Sequence, residues 1–322
     1  MKRIEHNVRE RHFEVDQNFE GWRLDEFLEN RISGMSMELA TLVANEGDVE
    51  VDGNDDVDAS TRITDGNTVV VREHMDPEYV QDHQVGTLYT DEALLVVDKP
   101  AGMLVHETAS VRLNTITHYL KRRGLEEAEP VHRIDCDTSG VLVCARRQKY
   151  VHPLRDQFKR GIPKKTYRAL VIDDEHRWTL GDSATLDTPL GHNEESVLPH
   201  KMGRGDLEAI THVEVLGRRS YPMGDLADLR VEIETGRQHQ IRVHLALEGT
   251  PIAGDKLYAM DDQFFIAICE KPDDEDLLRQ LHFPRHALHA RRIQLQHPAG
   301  GDTIEVESAL PSLWRIRPKS GR

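Results

Sequence analysis

One carboxylate stands out by its neighbours. In His132-Arg133-Ile134-Asp135-Cys136-Asp137-Thr138-Ser139-Gly140 an acidic side chain lies between a basic pair and a turn-forming cluster, directly ahead of the apolar run Val141-Leu142-Val143-Cys144-Ala145. Thr, Ser, Asp and Gly together favour a turn, and a β-branched run favours a buried strand, so Asp135 belongs on a loop held by a rigid sheet, where catalytic groups concentrate. Its chemistry there would be nucleophilic. The plainer alternative is a turn former whose carboxylate accepts nearby backbone N–H groups. About a hundred residues later the chain reads ETGRQHQIRVHLALEGTPIAGD, from Glu234 to Asp255, a second stretch dense in groups that bind anions and polar substrates. Two such stretches far apart in sequence point to one cleft.

The elements that must position them alternate irregularly. Strand-like runs at Ala93 to Val97, Val141 to Ala145, Tyr167 to Ile172, Leu229 to Ile233 and Ile293 to Leu295 are interleaved with helical patterns at Leu113 to Arg123 and His239 to Glu248. The spacing lacks the regular beat of a doubly wound sheet, so an α+β class is expected. Ahead of this part, Arg23 to Leu28 opens an amphipathic helix, and Glu46 to Gly53 and Asp65 to Val71 read as short strands with Gly turns. Residues 1–20 read as an irregular lead-in, 21–75 as a small module, 76–87 as a polar, Pro-broken linker, and 88–322 as the catalytic domain.

Five ordered segments carry a family resemblance: ALLVVDKPAGMLVH (Ala93 to His106), HRIDCDTSGVLVCA, KKTYRALV (Lys164 to Val171), ETGRQHQIRVHLALEGTPIAGD and RHALHARRIQLQHP (Arg285 to Pro298). Together they resemble the RluA-type RNA pseudouridine synthases over residues 88 to 315, with far more specificity than any one short motif. The N-terminal helix-then-strands unit resembles, less closely, the αL-type RNA-binding module of ribosomal small-subunit proteins.

The resemblance implies a mixed, mostly antiparallel central sheet with a catalytic cleft, plus a small N-terminal α/β RNA-binding-like module. It implies isomerisation of uridine to pseudouridine in RNA without a cofactor, large-subunit ribosomal RNA being the expected target and transfer RNA the alternative. Asp135 would be the nucleophile, adding to the uracil ring or to the anomeric carbon. Arg242 would hold its carboxylate ionised, Tyr167 would stack on the flipped base, Arg133 would fill the vacated space, and Arg237 and His239 would contact RNA backbone or ribose. Lys99-Pro100-Ala101-Gly102 would be a structural loop bordering the cleft.

Composition bounds the alternatives. The 322 residues include 57 acidic and 41 basic side chains, a net charge of -16, which fits an RNA enzyme only if positive charge is gathered locally. The N-terminal module departs furthest, since Ser36 to Asn45 has no basic residue. No apolar stretch approaches the roughly 20 residues that span a bilayer, and Met1 to His6 lacks a secretory apolar run, so a cytoplasmic protein with no membrane association and no obligate protein partner is expected. Cys136, Cys144 and Cys269 make no paired-ligand spacing and read as free thiols. His282, His286 and His289, spaced by four and three, allow a metal-dependent hydrolase as a rival, although Pro284 interrupts a helix there. A non-catalytic RNA-binding protein and an acidic protein-binding scaffold are the other two.

Overall fold

A computed structural model describes residues 3–32, 35–80, 83–108, 110–221, 224–272, 274–281 and 283–315. The chain divides into two compact units, Met1–Asp82 with Thr108–Leu113, and His83–Glu107 with Asn114–Arg322.

The first unit holds β1 (Arg3–Glu14), α1 (Leu24–Arg31), α2 (Met37–Asn45), β2 (Val49–Val51) and β3 (Thr68–Val80), with strand order β1-β3-β2. Residues 1–20 read from sequence as irregular, yet Arg3–Glu14 pairs antiparallel with β3 along its length. The linker expected at 76–87 is likewise taken up at its start by β3, which runs to Val80. Leu24, Phe27 and Leu28 of α1, Ala40 and Ala44 of α2, and Val69 and Val71 of β3 form this unit's core. Ser36 caps α2 by accepting the Leu39 N–H at 3.3 Å, and the helix leaves Leu39 and Leu42 exposed at 44% and 51%, with no cation among them.

The second unit is built on a ten-stranded sheet. In chain order it contains β4 (Gly86–Thr90), β5 (Leu94–Lys99), α3 (Ile116–Arg122), β6 (Glu129–Pro130), β7 (Ser139–Ala145), α4 (Val151–Lys159), β8 (Lys164–Ile172) and β9 (Ser183–Leu186). A small pair, β10 (Leu190–His192) and β11 (Met202–Arg204), precedes β12 (Thr211–Tyr221) and β13 (Gly224–Ile233). Then come α5 (Gln240–Leu247), α6 (Asp262–Glu270), α7 (Glu275–Gln280), β14 (Leu288–Gln296) and β15 (Thr303–Glu307). The main path is β4-β5-β7-β14-β8-β13-β12-β9, antiparallel except for the parallel pair β7 and β14. Every residue of β7 is buried, as its Val-rich, uncharged sequence requires. The expected α+β class with a mixed, mostly antiparallel sheet is what forms. Among the described residues no helix is long and apolar enough to cross a membrane.

Gly140 makes the β7 and β14 pairing possible. It adopts φ +108°, and a Cβ there would lie 2.2 Å from the Ala290 carbonyl oxygen and 2.8 Å from His289 Cε1. Gly140→Ala is therefore expected to destabilise the protein by roughly 2–5 kcal/mol through left-handed strain plus a backbone clash. Gly217→Ala, where a Cβ meets nothing within 4 Å, is the comparison and should shift stability by less than about 1 kcal/mol. Urea unfolding of both variants would check this; equal shifts would mean that the β7 and β14 approach can relax.

Candidate active site

The loop entering β7, one face of β8, and the turn leading into α5 meet at a cavity of about 680 Å³. Asp135, Tyr167, Arg242, Arg133, Arg237 and His239, the six residues singled out by sequence, all line it.

The loop is pinned from several sides before any side chain acts. The Thr138 N–H closes a turn on the Asp135 carbonyl at 3.1 Å, and the Gly102 N–H reaches the Cys136 carbonyl at 3.0 Å. Lys99, at the end of β5 and fully buried, donates to the carbonyls of Cys136, Met103 and Pro100 at 2.8, 2.6 and 2.9 Å. Burial brings its pKa down to about 8. Behind the loop, His286 Nε2 lies 2.8 Å from Thr138 Oγ1 and His289 Nδ1 lies 2.9 Å from Ser139 Oγ. Both rings thus brace the loop and the start of β7, while His282 lies outside the described residues. Among the described residues no cluster of His, Cys, Asp and Glu is arranged to hold a metal ion.

Arg242 joins two carboxylates. Its Nε and Nη2 donate to Asp255 Oδ2 and Oδ1 at 2.7 and 2.9 Å, and its Nη1 donates to Asp135 Oδ2 at 2.9 Å. The planar fork suits this division, because three N–H groups point outward at fixed angles. The Asp255 side chain is 0% exposed and that of Asp135 is 23% exposed, so only Asp135 meets the cavity. Burial pushes the Asp135 carboxyl upward, but the charge of Arg242, aided by its hydrogen bond, outweighs that and holds it below the usual carboxylate range. The same contest brings Asp255 down to about 2 and raises Arg242. Asp135 is an ionised carboxylate in a shielded cavity.

Asp255 was not assigned a role from sequence, although it ends the second motif. Its seat depends on Gly254 at φ +79°, where a Cβ would lie 2.2 Å from the Arg285 carbonyl oxygen. The signal available was an Asp following a turn Gly close behind a buried Arg.

The turn before α5 is fixed by Gln240, whose Oε1 accepts from Thr235 Oγ1 and the Arg237 N–H at 2.7 and 3.0 Å, and whose Nε2 donates to Ile210 O and Thr211 Oγ1, both at 2.9 Å. His239 then takes φ +54°, a left-handed conformation unusual outside Gly and Asn. Its Nδ1 is 2.9 Å from the hydroxyl of Tyr258, which accepts the Met202 N–H at 3.0 Å. Burial, reinforced by Arg242, lowers His239 to about 4, so the ring is neutral near pH 7. Tyr258 also covers Arg242, with the guanidinium carbon 5.0 Å from its ring centre. Neither this Tyr nor its role was visible from sequence.

Tyr167, buried and part of the core, keeps its hydroxyl proton firmly, because burial and the charge of Asp135 both raise its pKa. His132 forms another wall, stacked on Phe158 at 4.5 Å and accepting the Val143 N–H at 2.9 Å. Arg133 stands exposed at the rim. Six Arg and Lys side chains against two carboxylates line the cavity, which localises positive charge in an acidic chain.

A family model described as RNA pseudouridylate synthase matches residues 93–247. Ribosomal large subunit pseudouridine synthase D of Pseudomonas aeruginosa is 35% identical over 246 residues, 73% of this chain and 72% of that protein. The protein of the same name from Zymomonas mobilis is 32% identical over 312 residues, 90% of this chain and 91% of the relative. An uncharacterised RNA pseudouridine synthase of Mycobacterium bovis is 30% identical and covers 94% of this chain and 95% of its own. Among solved structures, human RNA pseudouridylate synthase domain containing 1 superposes with a TM-score of 0.55 at 22% identity, over 72% of this chain and 86% of that one, a likeness of fold.

Proposed function

The chain belongs to the RNA pseudouridine synthase family and is an isomerase of that class, and from this we propose that it converts specific uridines of large-subunit ribosomal RNA to pseudouridine with Asp135 as nucleophile. The observation that carries the reading is the Asp135 carboxylate, open to the cavity and held ionised by Arg242. The relatives named for the ribosomal large subunit support the target and a cytoplasmic setting.

A uridine stacked in a helix hides the bond that must break, so the base turns out of its stack at a cost of a few kcal/mol if it was paired. Arg133, exposed beside Asp135, fills the vacated position, and the Tyr167 ring supports the uracil. Asp135 adds to the ring or to the anomeric carbon, the bond from C1′ to N1 breaks, the uracil turns, a bond from C1′ to C5 forms, and the bond to Asp135 breaks to return the free carboxylate. The C5 hydrogen leaves as a proton and N1 gains one, so atoms balance and nothing is consumed. Tyr167 is protonated at rest, and its hydroxyl assists as a relay that takes up one proton as it passes on another. His239 and Arg237 contact the ribose or the backbone of the bound RNA.

Residues 21–75 are read as an αL-type RNA-binding-like module whose α2 has an apolar rather than a basic exposed face. Residues 88–322 are read as the catalytic domain.

Mapping pseudouridines across all RNA of the source organism, in wild type and in a deletion strain, tests this reading. Loss of discrete sites from large-subunit ribosomal RNA is the expected result. Loss from transfer RNA alone would replace the target, and an unchanged map would overturn the assignment.

A further inference from the structure

We propose that Lys165 is a phosphate anchor, binding a backbone phosphate of the RNA strand over the Gly236 turn beside Asp135. The inference rests on the reading of this cavity as an RNA site and names a contact that reading leaves open.

Strand alternation puts Lys165 and Tyr167 on one face of β8, roughly 7 Å apart along the strand. That separation is comparable to the span from a base to its own phosphate. Both residues line the cavity, and Lys165 Nζ would sit 3.8 Å from a Cβ placed on Gly236, so the ammonium lies over a turn with no side chain to cover it.

Two other lysines drawn out of water are paired: Lys201 meets Asp262 at 2.6 Å, and Lys99 has three carbonyls. Lys165 is half-buried, and among the described residues no acceptor meets its ammonium. Burial lowers its pKa with no carboxylate pulling the other way. The two carboxylates of the cavity are engaged elsewhere, Asp135 by Arg242 and Glu234 by His212 at 2.7 Å. A cation that gives up hydration without a partner is a cost to the free protein, and an entering phosphate oxygen removes it.

Total RNA from a strain lacking the gene contains the unmodified target, so it is the substrate to use, with initial rates measured over a series of salt concentrations. Lys165→Met is expected to lower kcat/KM about tenfold, mainly through KM. It should also flatten the dependence of log kcat/KM on log salt by about 0.7, the contribution of one phosphate on a single strand. Lys165→Arg should restore most of both, and Lys164→Met, on the opposite face of β8, should leave kcat at the wild-type value. An unchanged salt slope despite a lower rate would assign Lys165 a packing role under Tyr167 and overturn the proposal. An undiminished rate would overturn it as well. A wild-type enzyme that forms no pseudouridine in this RNA would instead sink the functional reading, and the anchor with it.

Discussion

Asp135→Asn is expected to abolish pseudouridine formation, with single-turnover rates falling by at least about 10⁴-fold, while the protein stays folded. The amide has nearly the shape of the carboxylate and still accepts one N–H from Arg242, but its oxygen is a poor nucleophile. Arg242 keeps its two bonds to Asp255, so the substitution leaves a balanced buried pair rather than a bare cation. It also removes one charge that burial opposes. The melting temperature should therefore move by only a few degrees. Single-turnover assays on RNA from a deletion strain, with a thermal melt of the same preparation, separate chemistry from folding. Activity within tenfold of wild type would place the nucleophile elsewhere.

The parts of this site legible in the sequence are those set by local pattern. The uncharged run after Asp135 forms a fully buried strand because no other environment accepts it. Arg242 could be read as inward-facing because Ile241 and Leu245 flank it on one helix, and those residues are buried with it. What stayed hidden depends on pairing between distant segments. The stretch Arg3–Glu14 has a charged, weakly alternating sequence, and its strand state comes from β3. The spacing of His286 and His289 has meaning for a helix, but β14 begins at Leu288, so the two rings diverge to Thr138 and Ser139. The net charge of -16 is a sum over the whole chain and conceals a cavity with six cations. Asp255 and Tyr258 lie beyond the end of α5, and only the returning chain brings them onto Arg242 and His239.

Arg242→Met should do more damage than Asp135→Asn, because it removes activity and stability together. Two carboxylates lose their cation, one of them with no exposure to water, and breaking a buried pair from one side costs about 3–5 kcal/mol at neutral pH. The sign of the pH dependence identifies the cause. In the wild type both folded carboxyl groups lie below the unfolded value of about 3.9, Asp255 at about 2. Their contribution is complete above that unfolded value and is lost as pH falls through the folded ones. In the variant burial outweighs what remains, for Asp255 the N–H groups of Leu257 and Tyr258, so the folded values rise above the unfolded one and protonation relieves the strain. The stability gap between variant and wild type should thus be widest near pH 7.5 and narrow toward pH 5, as read from urea midpoints. A gap independent of pH would mean that Arg242 acts by packing under Tyr258 rather than by charge. Arg242→Lys cannot serve three acceptors with a planar fork, so it should recover part of the stability and little of the rate. One guanidinium then sets both the charge state of Asp135 and the cost of leaving Asp255 buried, which makes the ionisation of Asp135 a property of the folded core rather than of the loop that carries it.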